Sequence, residues 1–172
     1  MNKGKFISID FVGDSIIERW DLGDYFYNWH TQNFGKSGAG IDYLELLHGR
    51  FTNRTIVVNI GINDNQYFSG PQSEAYAERY INAIRGLGAE KVYLFSVLPC
   101  AFKSNDEIEA FNATIKEQTK HFGDIVYINA FHEFTSQGGI RRQLYCDGLH
   151  LSPSGYQLLT EILTPIIESI NI

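Results

Sequence analysis

Short apolar runs alternate with longer, half-polar stretches along this chain, and glycine, proline or asparagine closes each run. Five runs have the length and the β-branched or aromatic content of strands: residues 6–12, 30–34, 55–60, 91–98 and 125–129, with 55–60 the clearest. The stretches between them carry a helical period. Residues 16–20 read as the first turns of a helix, and 41–47 as another. Tyr76, Tyr80, Ala83, Ile84 and Leu87 recur at helical spacing, as do Ile108, Phe111, Ile115 and Phe122. Leu159, Ile162, Leu163, Ile166, Ile167 and Ile170 mark the inner face of a last helix, which Pro165 is expected to kink or break. Residues 21–24 read as a turn, 25–29 as an aromatic stretch without clear period, and 131–145 as a long connection with two adjacent glycines.

Helix-start signals agree with this spacing. Ser69-Gly70-Pro71-Gln72 and Ser104-Asn105-Asp106-Glu107 have the S-x-x-Q/E form of a capping box, and Ser152-Pro153 sets a cap before a first-turn proline. Strands that alternate with helices argue a parallel sheet covered on both faces. In such sheets ligands bind beyond the carboxyl ends of the strands. Three polar loops follow strands here: 13–15, 35–40 and 61–64.

Composition narrows the picture. A chain of 172 residues fits a single domain over 1–172. The net charge of −6 lacks the basic stripe that nucleic-acid binding needs. No run of 18 apolar residues is present, so no membrane span is expected. The first apolar run is short and broken by Ser8 and Asp10, which does not fit a signal peptide, so a cytoplasmic location is expected. Cys100 and Cys146 are far apart, show no metal-ligand spacing and read as reduced thiols.

Candidate chemistry gathers at the strand ends. Ser15 follows the first strand and opens a helix, where free N–H groups and the positive dipole end would favour an oxyanion. Ser15-Ile16-Ile17-Glu18 is equally a capping box, with Ser15 as a plain cap. Gly35-Lys36-Ser37 resembles the end of a P-loop, but His30 stands where the motif needs glycine. That glycine-rich loop is either a tight turn or a backbone N–H aimed at a ligand. Asn63 is either a turn residue or an uncharged amide donor to developing negative charge, with Asp64 anchoring the turn or holding Asn63. Asp147 and His150, three residues apart, are either a surface pair or a carboxylate that fixes the imidazole tautomer and leaves Nε2 as a base. His132 beside Glu133 is the rival base.

Four separated blocks resemble the SGNH hydrolase superfamily, the GDSL esterases and lipases, in order and approximate spacing: Gly13-Asp14-Ser15, Asn33 to Gly38, Gly61-Ile62-Asn63-Asp64, and Asp147-Gly148-Leu149-His150. The resemblance implies a flavodoxin-like three-layer α/β/α sandwich with a five-stranded parallel sheet. It implies Ser15 as nucleophile, with Asp147 and His150 completing a triad. It also implies an oxyanion hole of the Ser15 N–H, the Gly35 N–H and the Asn63 side chain, with Asp14 and Asp64 as structural support. No metal or cofactor is implied. The G-x-S-x-G elbow of α/β-hydrolases is absent.

The expected substrate is a small acyl ester, short-chain or acetyl, with carbohydrate among the candidate alcohols. Trp20, Phe68 and Phe102 are either lining for an acyl or sugar pocket or ordinary packing. Two other classes stay open. One is a metal-dependent hydrolase built on Asp10, Asp14, Asp64, Asp147 and His150. The other is a non-catalytic binding module on the same fold.

Overall fold

The computed structural model describes residues 7–170. Five parallel strands form one sheet: β1 (Ser8–Gly13), β2 (His30–Gly35), β3 (Thr55–Asn59), β4 (Lys91–Phe95) and β5 (Ile125–Ile128). Their order is β2-β1-β3-β4-β5, the flavodoxin-like arrangement expected. Gly13 lies level with Gly35 on one side and Asn59 on the other, so three strands end together. The chain runs from β1 outward to β2 and then back across to β3. The gap between β1 and β3 is thus the topological switch point, where a crevice opens.

The inner strands β1, β3 and β4 bury both faces, which is why their sequences read as near-continuous apolar runs, whereas edge strand β2 is half exposed and more polar. Ile56, Val58, Val92 and Leu94 face one layer, with α3 (Ile41–Leu46), α4 (Ser73–Gly86) and α5 (Asn105–Thr119). Val57, Tyr93, Phe95 and Ile128 face the other, with α1 (Ser15–Glu18), α2 (Leu22–Tyr25) and α6 (Pro153–Ile170).

Several local expectations are corrected. Residues 22–25 are a short helix rather than a turn, because the Asp21 carboxylate accepts from the Asp24 N–H and starts it. Neither capping box forms as expected. Helix α4 begins at Ser73, and Ser69 donates instead to Glu107. Ser104 sits at the start of α5 without a side-chain cap bond, since Glu107 pairs with Lys103 at 3.0 Å as well as with Ser69. Ser152 does cap α6: its Oγ accepts from the Gly155 N–H at 3.3 Å. Helix α6 runs unbroken through Pro165. Leu159 and Leu163 before it and Ile167 after it are buried, and this docking offsets the one hydrogen bond proline cannot make. The connection 131–145 holds a hairpin, β6 (Thr135–Ser136) and β7 (Gly139–Ile140), turned by Gln137 and Gly138, both at positive φ. Phe6 and the Ile170 side chain fall outside the described residues.

The docking of α6 can be tested directly. Leu159 is fully buried, so Leu159→Ala should lower stability by about 2–5 kcal/mol. A denaturant midpoint unchanged from wild type would show that this face is not packed.

Candidate active site

Ser15 is the first residue of α1, immediately beyond β1. Asp14, not Ser15, caps that helix: its Oδ1 accepts from the Ile16 N–H at 2.9 Å. Glu18 does not close a capping box either, because its carboxylate accepts from the Ser37 hydroxyl. The Ser15 hydroxyl is thereby released from capping. His150 Nε2 lies 3.1 Å from Ser15 Oγ. On the other side of the ring, His150 Nδ1 lies 2.6 Å from Asp147 Oδ2. Asp147, His150 and Ser15 form one unbroken line of contacts.

The Asp147 loop is held from several sides. Asp147 Oδ1 accepts from the His150 and Leu149 N–H groups at 2.7 and 3.0 Å. The Cys146 N–H donates to the His150 carbonyl at 2.8 Å, and Tyr145 and Leu151 bridge across the base of the loop. Hydrogen bonds from the His150 ring, and then from the His150 and Leu149 N–H groups, hold the Asp147 carboxyl well below the usual carboxylate range. It stays ionised and can orient the imidazole. The rival His132 is on the surface, 3.3 Å from Glu109.

Asn33 is a positioning group that sequence reasoning quoted without giving a role. Its Nδ2 donates to the Ile17 carbonyl at 2.8 Å, at the end of α1, and its Oδ1 accepts from the Gly35 N–H at 2.8 Å. This corrects the expectation for Gly35, whose N–H is spent inside its own loop. Gly35 is glycine because a Cβ would stand 2.1 Å from the Glu18 backbone nitrogen. Three residues on, Gly38 has φ +76° and occupies the third position of a turn closed by the Ala39 N–H on the Lys36 carbonyl at 3.0 Å. Among the described residues the Gly38 N–H has no hydrogen-bond partner.

Asn63 opens toward the same loop. Its Nδ2 donates to the Ala39 carbonyl at 2.8 Å, which fixes the amide and leaves its second N–H available. Asp64 accepts from the Ile41 N–H and the Tyr76 hydroxyl.

The five groups of the metal-site alternative do not converge. Asp10 is paired with Arg54 at 2.5 and 2.8 Å, Asp64 is engaged as above and Asp147 faces His150. Among the described residues no three histidine, cysteine or acidic side chains gather as metal ligands. Of the aromatic candidates, Trp20 is buried among Phe11, Phe26 and Tyr156, and Phe68 stacks on Phe111 at 4.3 Å. Both are core. Phe102 is 59% exposed, on a loop tied to the Asp147 turn by the Ala101 N–H donating to the Gly148 carbonyl at 2.8 Å. Both cysteines are free thiols. No helix among the described residues is long and apolar enough to cross a membrane.

Asp14 carries an electrostatic cost. It is buried, and its Oδ2 has no hydrogen-bond partner. Burial pushes its carboxyl up to about 7, against the lowering effect of the Ile16 N–H. Between about pH 4 and 7 the folded protein therefore keeps a proton that the unfolded chain releases. The stability from that proton is complete below about pH 4 and is lost as pH rises through about 7, a difference of about 4 kcal/mol. Wild type should melt at a lower temperature at pH 8 than at pH 5. Asp14→Asn, which keeps the cap acceptor, should remove most of that gap. Thermal melts at the two pH values decide it, and an equal gap in both proteins would locate the titration elsewhere.

Comparison with known proteins identifies the family and the fold. The family described as GDSL-like Lipase/Acylhydrolase matches residues 11–158. No curated protein matches. Among solved structures, a Streptococcus pneumonia protein named provisionally for platelet activating factor is similar at 24% identity and TM-score 0.77, over 96% of this chain and 86% of that one. A GDSL-like lipase from Bacteroides thetaiotaomicron aligns at 22% identity and TM-score 0.74, over 95% and 88% of the two chains. A lipase/acylhydrolase from Enterococcus faecalis aligns at 20% identity and TM-score 0.73, over 96% of each. At these identities the structures speak to the fold, which they share with this chain.

Proposed function

The chain belongs to the GDSL-like lipase/acylhydrolase family and is a hydrolase, and from that premise we propose that it is a serine esterase acting on small acyl esters through Ser15, His150 and Asp147. The observation that carries this reading is the continuous line from Asp147 through His150 to Ser15 Oγ.

Ser15 Oγ attacks the ester carbonyl as His150 Nε2 takes its proton. The imidazolium then returns that proton to the leaving alcohol as the tetrahedral intermediate collapses to an acyl-enzyme. Water, deprotonated by the same nitrogen, releases the acid and restores Ser15. Asp147 holds the imidazole in the tautomer with Nδ1 protonated. The Ser15 N–H has no helical acceptor at the start of α1 and faces the developing oxyanion. The Asn63 amide is the second donor. The Gly38 N–H is the third, in place of Gly35, because the Gly35 N–H is already bound to Asn33. Asp14 and Asp64 support the two turns. The sequence of steps needs no cofactor.

The preferred substrate is a short-chain or acetyl ester, with sugar alcohols among the candidate leaving groups. Ser15 is only 4% exposed. A small cavity lies beside its turn, lined by Asp14, Ile16, Ile62, Val97, Leu98 and Leu149 among others, and a larger hollow of about 250 Å³ lies against the Asp147 turn. Phe102, exposed on the loop tied to the Asp147 turn, is the aromatic we assign to contact with the alcohol part.

Hydrolysis of p-nitrophenyl acetate, with EDTA present throughout, tests the reading. Wild type should be active and Ser15→Ala should lose nearly all of that activity. Asn63→Ala should lose ~10²–10³ in kcat, the usual effect of one oxyanion donor. Equal rates in wild type and Ser15→Ala would remove Ser15 as nucleophile.

A further inference from the structure

The Gly38 and Asn63 donors sit on separate loops, so their spacing depends on what ties those loops together. Asn63 Nδ2 reaches the Ala39 carbonyl directly. A second tie runs through Asp64. Its Oδ2 accepts from the Ile41 N–H at 2.8 Å, at the end of the glycine-rich loop, and from the Tyr76 hydroxyl at 2.9 Å. The packing is close enough that a Cβ on Gly40 would stand 2.3 Å from Asp64 Oδ1.

Tyr76 comes from α4, outside the loops that carry the donors. Its ring stacks on Tyr67 at 5.2 Å and leans on Phe111 at 5.6 Å, so α4 and α5 fix where the hydroxyl points. Burial, and then the Asp64 carboxylate, push that hydroxyl well above the ordinary phenol range, and it remains a donor at any pH the protein meets. Two donors converging on one carboxylate oxygen restrain it more than either alone, because charge-assisted hydrogen bonds are the stronger kind.

We propose that Tyr76 is a positioning residue for ester hydrolysis: its hydroxyl holds Asp64, Asp64 holds the Ile41 amide, and together they set the distance between the Gly38 N–H and the Asn63 amide. Tyr76 touches no reacting atom. Its effect is on the transition state, where donor placement matters, and not on ground-state ester binding. The proposal rests on the serine esterase reading above.

Tyr76→Phe keeps the ring packing and removes only the donor. It should lower kcat for p-nitrophenyl acetate by about tenfold with KM within about twofold, as expected for misplacing one preorganised group. In an Asn63→Ala background the same substitution should cost under about threefold, because the placement it secures no longer matters. A kcat equal to wild type, or the full tenfold loss recurring in Asn63→Ala, would overturn the role. Should Tyr76→Phe not fold, Asp64→Asn reads the same tie by the same two comparisons. The underlying reading fails separately: Ser15→Ala at the wild-type rate sinks the esterase, whereas an inactive Ser15→Ala with additive Tyr76→Phe sinks only the positioning role.

Discussion

The contact between His150 Nε2 and Ser15 Oγ joins groups 135 residues apart, and the rest of the molecule is arranged so that they can meet. Ser15 is placed by the end of β1, by the Asp14 cap and by Asn33 beneath α1. His150 is placed by a turn whose two limbs bridge at Tyr145 and Leu151, just ahead of α6. Tyr156 on α6 then donates to the Ile16 carbonyl at 2.9 Å, which ties the helix that follows the base to the helix that carries the hydroxyl. The parallel sheet makes this possible by ending three strands at one level, leaving the switch-point crevice as the common meeting place.

Much of this was legible in the chain. The inner strands follow from apolar runs buried on both faces, and their alternation with amphipathic stretches gives the layers. Ser15 and Asn63 stand out as polar blocks after strands, and Asp147 and His150 as a closely spaced pair just before the last helix. What could not be read is where side chains send their hydrogen bonds. Three boxes of the S-x-x-E/Q form were expected as helix caps, and in each the acidic or amide partner is not bonded as the motif predicts. Glu18 reaches Ser37, Glu107 reaches Ser69 and Lys103, and α4 starts beyond Gln72. A local motif states what a side chain can reach within one turn. It carries no information on which distant partner arrives there.

The glycine-rich loop shows the same limit at the level of the site. Gly35 and Gly38 are both glycines in a polar loop, and nothing in their spacing distinguishes them. Packing does. One is glycine because α1 presses against it, and the other because the turn needs a positive φ. Their N–H groups end differently for the same reasons, one bound to Asn33 and one unpartnered. Pro165 is a case in the opposite direction. Local chemistry argues for a break, and burial on either side of it carries the helix through.

The placement of α6 also bears on how the protein comes to life during synthesis. Ser15 and its strand emerge from the ribosome early, and β1 can pair with β2 and β3 well before the chain is finished. The histidine arrives late, and it is seated by a turn that the last described helix holds in place. A growing chain therefore carries the Ser15 hydroxyl long before the His150 turn exists, and the contact between the two can form only after that turn is made. On the serine esterase reading, reactivity is a late event in assembly, and the onset of turnover would mark the moment when the Ser15 and His150 turns close on each other.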